Sequence, residues 1–144
     1  MSEQTNVKRY KVKEVWKDYE VTLEVDHNTL TIERATMING FWSDHKNRLF
    51  SENGDVVRTV VRYFGQTMIN MMLSEGGSSF SEYTGKRGLF DNPAPIWTKD
   101  LHDEEGWGGS TEGSPYGWCG ICVIAADVEC PGFDDVELAE VTND

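Results

Sequence analysis

The chain has 144 residues and a mass of 16.3 kDa, the size of one domain. Hydrophobic residues make up 38% and aromatics 11%, which excludes wholesale disorder, and no run of about 18 apolar residues occurs that could span a membrane. The net charge of −12 is unevenly placed: residues 1–99 carry all 13 Lys and Arg, whereas residues 100–144 carry acids and no cation, which argues against general nucleic-acid binding.

Residues 8–26 read as a β-hairpin. Tyr10, Val12 and Trp16 alternate with Arg9, Lys11 and Lys13, and Tyr19, Val21, Leu23 and Val25 alternate with Glu20, Thr22, Glu24 and Asp26. The polar faces are basic on one strand and acidic on the other, so cross-strand ion pairs are expected. Met1 is followed by no apolar stretch of the kind a secretory leader needs, so a cytosolic protein with reduced thiols is expected.

Residues 31–75 predict two helices. The first runs from about Thr31 to Trp42, with Ala35, Ile38 and Trp42 on one face. Residues 43–55 read as a polar connection with turn chemistry at Asn53-Gly54. The second runs from about Asp55 to Leu73, where Val57, Val60, Val61, Phe64, Met68, Met71 and Met72 form a buried stripe. Gly76 and Gly77 stop it.

Residues 76–119 hold nine of the fourteen glycines together with Trp97, Trp107, Tyr116 and Trp118, and sustain no helix or strand period. They read as a long folded-over loop that either lids the core or lines a pocket. Residues 120–144 comprise a final strand and an acidic tail. Ile121–Glu129 is β-branched and apolar on both faces at first, as a central strand is. Pro131-Gly132 fits a type II turn, after which Val136 and Leu138 either begin an edge strand or trail off.

The expected architecture is a single α+β domain: an antiparallel sheet of three to four strands with two helices on one face. Tyr10, Trp16, Leu23, Ile38, Phe64 and Val123 are its expected core.

Several constellations invite chemistry. Trp118-Cys119-Gly120-Ile121-Cys122 looks like a thioredoxin redox motif, but the residues after Cys122 read as strand, so no helix N-terminus would stabilise a thiolate. Cys119, Cys122, Cys130 and His102 are weak zinc candidates, lacking a second ligand pair at the usual spacing. Arg58 and Arg62 lie one helical turn apart, and with Lys86-Arg87 and the loop aromatics Trp107, Tyr116 and Trp118 could hold a nucleotide-like ligand. No catalytic residue and no cofactor is expected. Asp127, Glu129, Asp134, Asp135 and Glu137 form an acidic face suited to a basic protein partner.

Five stretches carry a family likeness: EVTLEVDH from Glu20, INGFWSD from Ile38, GDVVR from Gly54, AADVE from Ala125 and GFDDVE from Gly132. They resemble a group of small proteins of unknown function from tailed phages and prophages. That resemblance implies the host cytoplasm as location and interference with a host defence factor as role. Two binding functions follow: an inhibitor presenting the acidic third to a basic host protein, or a sponge for a nucleotide-like signal. A homo-oligomer is compatible with either.

Overall fold

The computed structural model describes residues 6–81 and 93–141. Strands β1 (Val7–Lys13) and β2 (Glu20–Asp26) pair antiparallel, with Val7 opposite Asp26 and Lys13 opposite Glu20. That register sets Arg9 against Glu24 at 3.1 Å and brings Lys11 to Glu20 at 3.4 Å. Exposed pairs of this kind contribute about 0.2–1 kcal/mol each. Val21, Leu23 and Val25 are fully buried on the opposite face. The alternation ends at Lys13, because the Glu14 amide donates to the Tyr19 carbonyl and turns residues 15–18 into the connection. Trp16, expected in the core, is therefore 89% exposed.

Helix α1 (Ile32–Phe41) is capped by Thr31, whose hydroxyl accepts from the Arg34 amide. It buries Ala35, Ile38 and Asn39. The segment expected as a polar connection holds a helix of its own, α2 (His45–Ser51), which buries no residue. Arg48 fastens it: the guanidinium donates to Asn39 Oδ1 at 3.0 Å, to the Asn39 carbonyl at 3.0 Å and to the Ser43 carbonyl at 2.7 Å.

Helix α3 (Val56–Ser74) starts at the Asp55 cap and lies against all four strands. Phe64, Met68 and Met72 are its fully buried contacts, flanked by Val60, Val61 and Ile69. Met68 and Met72 are core filler, whereas Met71 of the expected buried stripe is only partly buried. Gly65 is where β1 meets the helix: a Cβ there would lie 2.4 Å from Val12 Cβ.

The long loop expected over 76–119 contains two regular elements. Strand β3 (Gly77–Phe80) follows α3 directly, and α4 (Ala94–His102) follows later. With β4 (Ile121–Glu129) they complete an antiparallel sheet in the order β1-β2-β4-β3, so β4 is central as its sequence implies. The fold is α+β with four helices among the described residues, not two. Strand β3 pairs only with Val128 and its neighbours, from Ala126 to Glu129. Nearer the start of β4, α4 supplies side-chain partners instead. Thr98 Oγ1 accepts from the Val123 amide at 3.1 Å, and His102 Nε2 donates to the Ile121 carbonyl at 2.7 Å. Residues 98 and 102 are one helical turn apart, so they reach two alternate residues of the strand.

The tail differs from expectation in one respect. Gly132 has φ −84°, whereas a type II turn needs a positive φ there. Asp135 instead accepts from the Gly132 amide at 2.8 Å and shapes a 3-10 turn, Phe133–Asp135. Val136 and Leu138, at 58% and 100% exposure, belong to no strand.

Substituting Gly65→Ala should destabilise the domain by about 1–3 kcal/mol, because the new methyl overpacks against Val12. Urea denaturation would measure it, and an unchanged midpoint would mean that β1 yields without cost.

Candidate functional site

Trp107 is 1% exposed and sits at the centre of an aromatic cluster. Its ring centroid lies 5.2 Å from Trp42, 5.3 Å from Phe64 and 5.9 Å from Tyr63. Phe41 meets Trp42 edge-on at 4.9 Å, and the Arg48 guanidinium stacks 4.6 Å from the Tyr63 centroid. The backbone around Trp107 reaches these rings through glycine. A Cβ on Gly106, whose φ is +96°, would stand 2.6 Å from Phe41 and 2.7 Å from Trp42. A Cβ on Gly117, at φ +64°, would stand 2.5 Å from the His102 ring. At Gly106 and Gly117 the missing Cβ is what lets the backbone come this close to the rings.

Beside the cluster runs a surface groove. One part, about 500 Å³, is lined by Phe41, Trp42, Tyr63, Met71, Glu104, Glu105 and Trp107 among others. The next, about 360 Å³, is lined by Met71, Ser74, Glu75, Ile96, Trp97, Asp100 and Glu104. Met71, Ser74 and Glu104 line both, so the two depressions adjoin between α3 and α4. The Trp97 indole donates to Ser78 Oγ at 3.1 Å, which fixes that wall to β3.

Arg58 and Arg62 line a smaller groove with Tyr10, Lys11 and Lys13, about 220 Å³ in volume. Both reach one carboxylate, Glu52, at 3.6 and 3.4 Å. The three aromatics expected to join them lie elsewhere. Trp107 is in the cluster, Trp118 lies under Arg34 at 4.8 Å, and the Tyr116 hydroxyl donates to Glu24. The pocket expected between Arg58, Arg62, Trp107, Tyr116 and Trp118 is thus not formed. Lys86 and Arg87 lie outside the described residues. Burial and the Glu24 carboxylate push the Tyr116 hydroxyl well above its ordinary value.

A further cavity, about 670 Å³, is lined by Glu24, Thr98, His102 and Cys122 among others. Thr98 and His102 are bonded to β4, and Glu24 holds Arg9 and Tyr116. Burial pushes the thiols of Cys119 and Cys122 up to about 12, so neither is a thiolate at neutral pH. The strand context after Cys122 is as expected, with no helix dipole to oppose that shift. Among the described residues no three His, Cys, Asp or Glu side chains gather as a metal site requires. His102 bonds to Ile121, and Cys130 Sγ lies 3.5 Å from the Leu73 carbonyl, so the zinc candidates do not converge.

The acidic residues divide into two sets. Asp127 and Glu129 are exposed on β4, alternating with buried Ala126 and Val128. Asp134, Asp135 and Glu137 ride on residues 133–141, every one of which is exposed.

The family model described as "Protein of unknown function (DUF2528)" matches residues 20–138. The chain belongs to this family. It is similar to Protein ea10 of Escherichia phage lambda and to Lambda prophage-derived protein ea10 of Escherichia coli O6:H1. Each is 32% identical over 103 residues, which are 72% of this chain and 75% of the relative. The phage and prophage resemblance seen in the residues is thereby borne out. No solved structure matches. Among the described residues, no helix is long and apolar enough to cross a membrane.

Two measurements test the chemistry of the buried groups. In native protein at neutral pH, a thiol reagent should modify Cys130 first, and Cys119 and Cys122 only as fast as the fold opens. Rapid labelling of all three would contradict their burial. His102 is held below 6.5 by burial, which outweighs its bond to Ile121. The unfolded chain therefore takes up this proton first. The stability contributed by neutral His102 is complete above about pH 6.5 and declines as pH falls below it. Burial and Lys8 shift His27 in the same direction. Denaturation midpoints compared at about pH 7 and about pH 5 should fall less for His102→Gln than for the parent. Equal declines would remove His102 from the pH dependence.

Proposed function

We propose that this phage protein is a non-enzymatic inhibitor that presents its acidic C-terminal third to a basic surface of a host protein in the host cytoplasm. The observation that carries the reading is the exposed segment 133–141. Asp134, Asp135, Glu137 and Glu140 alternate there with Phe133, Val136, Leu138 and Val141, whose exposures run from 58% to 100%. Four apolar side chains held in water beside four carboxylates contribute nothing to the core, and are suited to burial against a partner. Asp127 opposes Glu20 across β2 and β4, so like charges meet on the sheet as well. Such a field steers a basic partner over about a Debye length, ~8 Å at physiological salt. The raised thiols and the backbone-bonded His102 are consistent with a role without catalysis.

The role as a host-factor inhibitor rests on the phage lineage of the relatives, and the partner chemistry rests on the charge. Host proteins retained on the immobilised chain should be released by salt. The Asp134→Asn, Asp135→Asn, Glu137→Gln variant should associate with them about three- to tenfold more slowly at low ionic strength, with little change in off-rate. Unchanged on-rates and a flat salt dependence would mean that the acids serve only solubility.

A further inference from the structure

We propose that the groove between α3 and α4 is the seat for a Lys- or Arg-bearing segment of the protein partner, an inference that rests on the basic-partner reading above. The floor is apolar and aromatic, through Phe41, Trp42, Met71 and Ile96, of which Phe41 is 49% and Ile96 66% exposed. The charges at its edge are Glu75, Asp100, Glu104 and Glu105, and among the described residues no Lys or Arg lines either part. An apolar bed with a carboxylate rim is the complement of a lysine or arginine side chain, whose methylene stem packs on apolar surface while its charge stays at the margin.

The backbone adds to this potential. Helix α3 ends at Ser74 with no basic residue in its last turn, and Glu75 is its C-cap. The negative end of a 19-residue helix is thus met by further negative charge, an arrangement that a cation relieves. The acidic tail begins at the same place. Cys130 Sγ lies against the Leu73 carbonyl, so residues 133–141 leave the fold beside the end of α3. The groove and the root of the tail thus share the C-terminal end of α3, and the apolar floor gives a bound side chain a place to lose water. Trp107 and Gly106 hold the Glu104–Glu105 rim against the end of α1, so the site is built before any partner arrives.

The test titrates the isotope-labelled full chain with a short oligoarginine peptide at low salt, following its five tryptophan indole signals. Signals of Trp42, Trp97 and Trp107 should move, while that of Trp16 should stay. The Asp100→Asn, Glu104→Gln, Glu105→Gln variant should bind about tenfold more weakly while keeping a dispersed spectrum. Neutralising Asp134, Asp135 and Glu137 should weaken binding of this short peptide by less than about threefold. If the peptide binds but shifts only amides of residues 133–141, the groove is not the seat, and the basic-partner reading stands. If oligoarginine does not bind at all, the basic-partner reading fails and takes the groove with it. Equal affinity for spermidine would make this a site for a small polyamine and overturn the docking of a protein segment.

Discussion

Trp107 ties together parts of the chain that would otherwise have little reason to meet. Its indole touches Trp42 at the end of α1 and Tyr63 and Phe64 in the middle of α3, and its own segment leads from α4 towards β4. Burying an indole of this size contributes on the order of 2–3 kcal/mol from area alone, and ring–ring geometry adds to that. The contact demands close backbone approach, which only Gly106 permits. Tyr63 is held from its other neighbour, Arg48, whose hydrogen bonds to Asn39, Trp42 and Ser43 also fasten α2. The Asn39 side-chain amide, which donates to the His45 carbonyl at 3.1 Å, helps that guanidinium to keep in place a helix without a buried residue.

Electrostatics divides the surface. The basic strand β1 spends its charges on β2, and Arg58 and Arg62 spend theirs on Glu52. Lys99 takes Asp103 at 2.9 Å, and with Ser110 it holds that carboxyl down at about 2. Among the described residues, the charged side chains that line the groove, Glu75, Asp100, Glu104 and Glu105, are all negative. The uneven distribution along the chain, which argues against general nucleic-acid binding, thus reappears in the fold as a groove with a negative rim.

The elements visible in the sequence are those whose burial repeats over many residues. The hairpin, α1, α3 and β4 each alternate or recur with a clear period, and Leu23, Ile38, Phe64 and Val123 are buried as that period requires. Trp16 misled because the pattern continued beyond the last paired residue, where the backbone had already turned. Helix α2 buries nothing and so has no period to detect. Strand β3, with the sequence GSSF, is a strand because β4 pairs with it. Helix α4 hides its inner face behind Thr98 and His102, polar residues that are buried because they bond to β4. The acidic bias of the candidate site was legible, but its groove was not. Phe41, Met71, Ile96 and Glu104 come from separate segments, and only the fold brings them to one surface.

The strand order has a consequence for how the chain is made. Strand β4, which lies between β2 and β3 in the sheet, is the last of the described strands to leave the ribosome, after both of its neighbours. Until then the nascent hairpin keeps the open side of β2 unpaired, and α3 has no finished sheet to cover. Such non-local pairing raises the contact order and slows folding. The domain therefore closes in a late step, in which arrival of one strand completes the sheet and brings the Trp107 segment onto α3. A chain ending before Ile121 would leave the inner edge of β2 without its partner, the kind of surface that host chaperones and proteases recognise.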